Sequence, residues 1–368
     1  MFKNILVIGY NGFIGRNFIE FLKLKNKFNL YKIGSKNSEK DLKNKIKKAN
    51  IILHFAGHNR PINKKLFFQK NFLLTKKIIK IIGDKKIPIV YLSSVHVHKK
   101  NSYGESKLLA EKLLFNYSKK NLTSVYIFRL PHVMGKWCKP NYNSIVSTLC
   151  HNIARNIKTK LFKVNQKIEI VYINNLIEKI YSLFSLKNSK KYKFIKLKGF
   201  SISIKKLKEL IFYFNIQYKS ANKPLFKNKF ESNLYSVFLT YLPVKNFFYQ
   251  LKCHKDKRGG FLEFLKDKNF GQISYFYAEP GQVRGQHFHR TKNEKFLVIN
   301  GKCEFVFKNN KNKRIYKEIV NENQFKVIQT IPGYSHKIKN IGKDTLKVLV
   351  WANEVYDKLK PDTYSHKF

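Results

Sequence analysis

The hydrophobic pattern of this chain changes character once. Up to about residue 245, short unbroken apolar runs alternate with stretches whose apolar residues recur at helical spacing. Residues 3–9, 30–34, 51–55, 87–94 and 124–131 are the unbroken runs. Apolar on both faces and bounded by turn residues, they read as strands of a parallel sheet covered on both sides. Amphipathic helices are expected between and after them: to about Leu24, across 64–82, from Tyr103 to about Lys119, and from Ser144 through Asn156. Residues 157–245 mix strand-like and helix-like pieces, such as 168–173 and 204–213, as a small subdomain closing over a substrate would. From Gly259 onward, short apolar–polar alternation punctuated by Gly and Asn takes over, as an all-β barrel requires. The expectation is two domains, 1–245 and 246–368, and 368 residues suffice for two cores. No internal repeat or low-complexity linker marks the boundary, which falls between Leu242-Pro243 and Gly259-Gly260.

The first apolar run enters Gly9-Tyr-Asn-Gly12-Phe13-Ile14-Gly15. A glycine-rich turn between a first strand and a helix lets backbone N–H groups approach a pyrophosphate at the helix N-terminus. The second run ends at Ser35-Lys36, with no carboxylate to grip an NAD ribose; a cation there favours a 2′-phosphate, hence NADPH. The third leads into Ala56-Gly57-His58-Asn59-Arg60, whose small residues let the backbone pass close to a cofactor. The fourth delivers Ser93 and Ser94, and Tyr103-Gly-Glu-Ser-Lys107 then opens a helix after an unusually short gap. Tyr and Lys at i, i+4 share one helix face. The ammonium is expected to lower the phenol's pKa, so that the phenol exchanges a proton with a carbonyl oxygen held by the serine. Ser94 fits the strand end better than Ser93.

These features in this order are those of an extended short-chain dehydrogenase with a Rossmann-like α/β fold. Ser94, Tyr103 and Lys107 are the expected catalytic triad. Gly9, Gly12, Phe13, Ile14, Gly15, Ser35, Lys36, Ala56, Gly57 and Lys107 are the expected cofactor contacts. Asn59, Arg60, Arg129, Lys139, Asn143 and Arg155 are candidate contacts to a sugar or diphosphate.

The second half carries Gly281, His287, His289, Glu294 and Gly301, followed by Gly333, His336 and Asn340. Two His one residue apart point to the same side of a strand. The five residues to Glu294 allow a turn and a return to that face. Three imidazoles and a carboxylate suit a divalent transition ion, zinc foremost. A lone His-x-His pair is ordinarily surface or core filler. Here the full set follows both motifs of the cupin, with Ile331 standing where the pattern has Pro and Pro332 one place later. The second domain is therefore expected to be a metal-binding cupin, an all-β jelly roll.

Charge changes this picture little. The formal net charge of +52 by itself suggests nucleic acid or an anionic membrane. Yet only 8 of the 74 basic residues are Arg, and the Lys is dispersed among Asn, Ile, Phe and Tyr, as AT-rich codons produce. The charge reads as solvated faces that attract an anionic nucleotide sugar, with no specific nucleic acid. Cys138, Cys150, Cys253 and Cys303 have neither metal nor disulfide spacing and fit a reducing cytoplasm. The chain opens on a strand, which leaves no room for a signal peptide. No apolar run of about 18 residues exists, so no membrane insertion is expected.

A short-chain reductase followed by a metal cupin resembles the CapF family of bifunctional capsular-polysaccharide synthesis enzymes. The likeness spans nearly the whole chain. It is carried by Ala56-Gly57 with Asn59-Arg60-Pro61, Tyr103-Gly-Glu-Ser-Lys107, Gly135-Lys-Trp-Cys-Lys-Pro-Asn-Tyr-Asn-Ser144 with Ile153-Ala-Arg-Asn156, Leu234-Tyr-Ser, Tyr241-Leu-Pro, Thr291-Lys-Asn-Glu-Lys-Phe-Leu-Val298 and Pro361-Asp-Thr-Tyr364. His58, Ser102 and Ile331 depart from the family. The resemblance implies a zinc cupin that epimerises C3 of a UDP-2-acetamido-2,6-dideoxy-4-hexulose. It implies a reductase domain that then reduces the C4 ketone with NADPH to UDP-2-acetamido-2,6-dideoxy-L-talose, a precursor of UDP-N-acetyl-L-fucosamine. It also implies a homodimer. Two other readings are a 4-ketoreductase with an inert, dimerising cupin and a nucleic-acid-binding Rossmann regulator of the NmrA kind; Ser94, Tyr103 and Lys107 speak against the regulator.

Overall fold

The structure is a computed structural model, and it describes residues 2–59, 65–185, 192–366 and 368. Its contacts fall into two units, Met1–Phe212 with Asn228–Pro243, and Tyr213–Lys227 with Val244–Phe368. The second unit takes in 213–227 because that segment is stitched to the barrel. Lys223 N donates to Lys266 O and Lys266 N to Ala221 O, while the Lys223 ammonium pairs with the buried Asp267 carboxylate.

The elements of the first unit, in chain order, begin with β1 (Asn4–Ile8), α1 (Phe13–Lys25), β2 (Asn29–Ile33), α2 (Glu39–Lys48) and β3 (Ile51–His54). A short helix α3 (Lys65–Phe67) passes through a π-helical stretch, Phe68–Leu73, into α4 (Leu74–Ile82). Next come β4 (Ile89–Ser94), α5 (Ser102–Asn121), β5 (Val125–Leu130), β6 (His132–Met134), α6 (Ile145–Ile153), β7 (Lys167–Tyr172) and α7 (Ile173–Ser182). Then follow β8 (Tyr192–Ile195), β9 (Phe200–Ser203), α8 (Ile204–Gln217), which carries the chain into the second unit, and α9 (Lys229–Leu239).

Six strands form a parallel sheet in the order β2-β1-β3-β4-β5-β8. The unbroken apolar runs divide between its two faces. Ile5, Val7, Ile51 and Leu53 pack with Phe18 and Leu22 of α1 and Leu176 and Ile180 of α7. Leu6, Ile8, Ile52 and Ile89 pack with Leu42 and Ile46 of α2, Ile78 and Ile82 of α4, and Ala110 and Leu114 of α5. A residue period of two thus fills two cores at once, which is why these strands show no polar alternation. The chain leaves β1 for β2 on one side and returns to β3 on the other. That reversal opens a crevice at the strands' carboxyl ends, where ligands of such sheets bind. A smaller sheet, β6-β7-β9, lies within the same unit.

The second unit is a jelly-roll cupin whose named strands pair antiparallel. They are β10 (Cys253–Asp256), β11 (Gly259–Asp267), β12 (Gly271–Ala278), β13 (Val283–Phe288), β14 (Glu294–Asn300), β15 (Lys302–Asn309), β16 (Ile315–Asn321), β17 (Val327–Gln329), β18 (Tyr334–Asn340), β19 (Leu346–Ala352) and β20 (Tyr364–Ser365). One sheet runs β10-β11-β12-β19-β14-β17 and the other β16-β15-β18-β13-β20. Phe276, Phe296 and Val348 of the first sheet meet Phe305, Val320 and Ile338 of the second in one core. Inward and outward positions alternate along β12 and β19, as a sandwich with one buried face demands.

Candidate functional site

In the first unit the glycine-rich turn is as tight as backbone atoms allow. Gly9 has φ +90°, and a Cβ there would lie 2.5 Å from Ala56 N. A Cβ on Gly15 would stand 2.3 Å from Gly9 O. Gly12 begins α1 without a side-chain cap, so Phe13 and Ile14 present first-turn amides with no side-chain acceptor. Ser35 and Lys36 lie in an exposed turn after β2, where Asn37 accepts the Gly34 N–H at 2.8 Å.

Gly57 sits against the end of Lys107: a Cβ on it would be 3.0 Å from Lys107 Nζ and 2.9 Å from Asn71 Oδ1. Asn71, fully buried in the π-helical stretch, accepts the His58 N–H at 2.9 Å and donates to His58 O and Ser106 Oγ, each at 3.0 Å. It therefore pins the loop after β3 onto α5. The sequence reading missed Asn71. Its signal was weak, because one Asn in a chain rich in Asn carries no spacing partner. Arg60, a candidate substrate contact, lies outside the described residues.

Ser94 ends β4, where its hydroxyl accepts the His96 N–H at 3.2 Å, and it stands near enough to the Tyr103 phenol to favour the charged form. Ser93, its neighbour, is buried with its hydroxyl unpartnered. The expected influence of Lys107 on the phenol is corrected by the structure. The Lys107 ammonium donates to Leu92 O at 2.9 Å and lies 4.7 Å from the Tyr91 ring centroid. Burial raises the Tyr103 phenol above its ordinary value, opposed only by Ser94, so the phenol is protonated at neutral pH. Burial also brings Lys107 down to about 8, with the Glu111 carboxylate holding it up.

The remaining candidates on this side separate. Lys139 and Asn143 are exposed on the 135–144 segment. That segment is fastened by the Tyr241 hydroxyl, which donates to Cys138 O at 2.7 Å, and by Asn17 Nδ2, which donates to Lys136 O at 3.1 Å. Arg155 donates to Tyr241 O at 2.7 Å and to His151 O. Arg129 forks onto the buried Glu111 carboxylate at 2.6 and 3.1 Å and bonds His98 as well. Arg129 uses Nε, Nη1 and Nη2 on protein partners, whereas Arg155 is exposed and its two bonds use Nη1 alone. Asn59 is exposed at the edge of the described loop.

In the second unit, β13 bulges between Gly285 and His287, with φ +84° at Gly285 and +63° at Gln286. A bulge re-aims the side chains beyond it. Here it brings His287 opposite His336 of β18. Glu294 opens β14, and its carboxylate stands 3.1 Å from His289 Nε2 and 3.5 Å from His336 Nε2. Ligand atoms of His287, His289, Glu294 and His336 all lie within 4.8 Å of one another. Burial takes His287 down to about 4 and His336 to about 3, so both imidazoles are neutral near pH 7. Burial pushes Glu294 up, but the His289 hydrogen bond and the neighbouring His and Lys charges outweigh it and bring the carboxyl to about 2. Neutral imidazoles gathered on a carboxylate offer lone pairs with few protons to share. This donor set fits a tetrahedral divalent ion of the zinc type. Lys292, almost fully buried, lends its charge to the cluster and was not singled out in the sequence.

Comparison with known proteins accords with both halves. Residues 5–194 match the NAD dependent epimerase/dehydratase family and residues 254–364 the polysaccharide biosynthesis C-terminal domain. The chain is 37% identical, over 98% of each sequence, to UDP-2-acetamido-2,6-beta-L-arabino-hexul-4-ose reductase of Pseudomonas aeruginosa. It superposes on the capsular polysaccharide assembling protein CapF from Staphylococcus aureus with a TM-score of 0.90 at 33% identity, covering 100% of both chains. MoeE5 in complex with UDP-glucose and NAD shares the fold alone, with a TM-score of 0.51 at 18% identity over 57% of this chain and 81% of MoeE5. The chain belongs to the NAD dependent epimerase/dehydratase family, as a CapF-type member in which that domain continues into a polysaccharide biosynthesis C-terminal domain.

Proposed function

We propose that the chain is a two-activity nucleotide-sugar enzyme. Its cupin unit epimerises C3 of a UDP-2-acetamido-2,6-dideoxy-4-hexulose. Its first unit then reduces the C4 ketone with NADPH to UDP-2-acetamido-2,6-dideoxy-L-talose, toward the N-acetyl-L-fucosamine of capsule or O-antigen. The relative that acts on a hexul-4-ose and matches end to end supports the substrate class.

The observation that carries the reductase reading is the placement of Ser94 at the end of β4 beside Tyr103 of α5, with Lys107 one turn further along the same helix. NADPH, when bound, supplies the hydride for C4. The protein must supply a proton to the C4 oxygen, and Tyr103 is the group in the donating form. Reduction asks for a neutral phenol, so burial that raises its pKa serves this direction. Ser94 stands beside the phenol. Lys107, tied to Leu92 O and standing against Gly57, links the end of β4 to the loop after β3 at the border of the crevice. Asn59, Arg60, Lys139, Asn143 and Arg155 are the candidates for the sugar and its diphosphate, with Arg129 the least available because of its Glu111 pair.

The cupin reading rests on the His287, His289, Glu294 and His336 cluster. A divalent ion, when bound, polarises a carbonyl and makes the neighbouring C–H more acidic, an effect of several kcal/mol. A 4-ketone places that acidity at C3, where epimerisation requires proton exchange. We expect a homodimer that works in the cytoplasm; no described helix is long and apolar enough to cross a membrane.

The test is incubation with a UDP-4-keto-6-deoxy-HexNAc pool and NADPH in deuterated water, followed by NMR of the product. A C4-reduced sugar carrying deuterium at C3 is expected. Reduction with C3 unchanged and unlabelled would leave a single-activity ketoreductase with a structural, dimerising cupin. No reduction in a folded, cofactor-binding protein would overturn the reading.

A further inference from the structure

We propose that the chain's C-terminal strap, residues 361–366, is a positioning element of the metal centre: through Asp362 it fixes the tautomer of His289 and the turn that precedes Glu294, and so sets the affinity for the divalent ion. The inference rests on the metal reading of the four-residue cluster.

The strap grips the site at three levels. Its backbone closes the free edge of the bulged strand: β20 pairs with β13 through His287↔Ser365 and Phe288↔Tyr364, and His366 N donates to Gln286 O at 2.9 Å. The residues held in this way are the ones whose unusual backbone aims His287 and His289 inward. The second level is a single hydrogen bond. His289 Nδ1 lies 2.6 Å from Asp362 O. A backbone carbonyl only accepts, so Nδ1 carries a proton, and Nε2, 3.1 Å from Glu294 Oε2, is the nitrogen left to meet an ion once its own proton is given up. Outer partners of this kind orient a ligating imidazole and raise its basicity.

The third level is the Asp362 side chain. Its carboxylate accepts from Arg290 N at 3.0 Å, Thr291 N at 2.9 Å, Lys292 N at 2.8 Å and Thr291 Oγ1 at 3.0 Å. Charge-assisted bonds to three successive amides define the path of the turn between His289 and Glu294. They hold the Asp362 carboxyl far below its ordinary range in spite of the burial that would raise it. Thr363 Oγ1 in turn accepts from Lys292 Nζ at 3.0 Å, which orients the buried ammonium beside the cluster. An edge strand that merely covers the barrel would need the backbone pairing alone. The carbonyl on His289 and the carboxylate across the turn are what such a cover would not require.

The experiment uses the full-length chain and zinc alone. Zinc affinity is measured by competition with a chromophoric chelator, and the melting temperature of zinc-stripped protein is recorded beside it. Asp362→Ala should weaken zinc binding about 10–100-fold, the usual scale for removing an outer-shell partner. Asp362→Asn, which keeps an oxygen acceptor for the turn, should fall between the two. Long-range nitrogen NMR of the histidines in zinc-free wild type should show the His289 proton on Nδ1. Asp362→Ala that melts lower yet binds zinc as tightly as wild type would reduce the strap to a structural cover and overturn the proposal. A His289 Nδ1 that carries no proton would overturn it as well, with no variant required. If wild type itself binds no zinc, the metal reading fails and this inference with it, an outcome distinct from the other two.

Discussion

In the first unit the proposed catalytic groups occupy one short stretch of chain, from Ser94 at the end of β4 to Lys107 in α5. The second unit gathers four candidate ligand residues from β13, the turn just after it, β14 and β18, with the strap packed behind them. The first arrangement follows almost wholly from one strand, one helix and the backbone contacts of a few glycines. The second depends on strand register, and a slip of one residue would turn the imidazoles to the opposite face. The bulge at Gly285 and the pairing of β20 with β13 guard that register. Remote changes should therefore disturb the metal cluster more than they disturb the Ser94–Tyr103 pair.

The largest expected effect separates the two chemistries. Tyr103→Phe removes the proton donor and should slow NADPH-dependent reduction by about 100-fold or more, while exchange of the C3 proton with deuterated solvent persists. Loss of C3 exchange in that folded variant would mean one site performs both reactions. Because burial raises the phenol, its donating form survives as pH rises; a pH profile should show no alkaline loss of reduction near neutrality from this group.

Glu294→Ala should abolish C3 exchange and bound metal together, yet leave oxidation of NADPH with a ketone of acceptable C3 configuration. Melting curves must accompany it, since metal binding stabilises the fold it occupies. Exchange at full rate without metal would make the cupin inert and break the comparison.

Arg129→Ala tests whether a candidate substrate contact acts instead through its Glu111 pair. It leaves the buried Glu111 carboxylate unpaired and should cost about 2 kcal/mol of stability, less than a fully buried pair because Arg129 is partly exposed. The KM for the UDP-sugar should change little. A large rise in KM with an unchanged melting temperature would return the guanidinium to the substrate.

The smallest effect concerns the cofactor. NADPH should bind about tenfold tighter than NADH, about 1.4 kcal/mol, and Lys36→Ala should erase most of that margin. Equal affinities in wild type, measured by titration, would remove the role given to the turn after β2.

Much of this was legible in the sequence. Unbroken apolar runs imply strands with two buried faces, and β1 and β3 divide their side chains between two cores as that reading requires. The His, Glu and Gly spacings brought the four-residue cluster into view, because strand alternation puts His287 and His289 on one face, although the bulge at Gly285 sets where that face points. The tertiary structure decided what spacing cannot encode. It directed Lys107 to the Leu92 carbonyl and left the Tyr103 phenol raised, because desolvation is a property of surroundings drawn from several elements. It paired Arg129 with Glu111 and tied Arg155, through Nη1 alone, to Tyr241 and His151. It revealed Asn71 as the pin between the loop after β3 and α5. It also joined Asp362 to the turn at Arg290, Thr291 and Lys292, some seventy residues earlier in the chain. The pattern of apolar positions specifies which faces are buried; which polar atoms then meet is fixed only when the strands have paired, because hydrogen bonds depend on distance and direction and sequence separation carries neither.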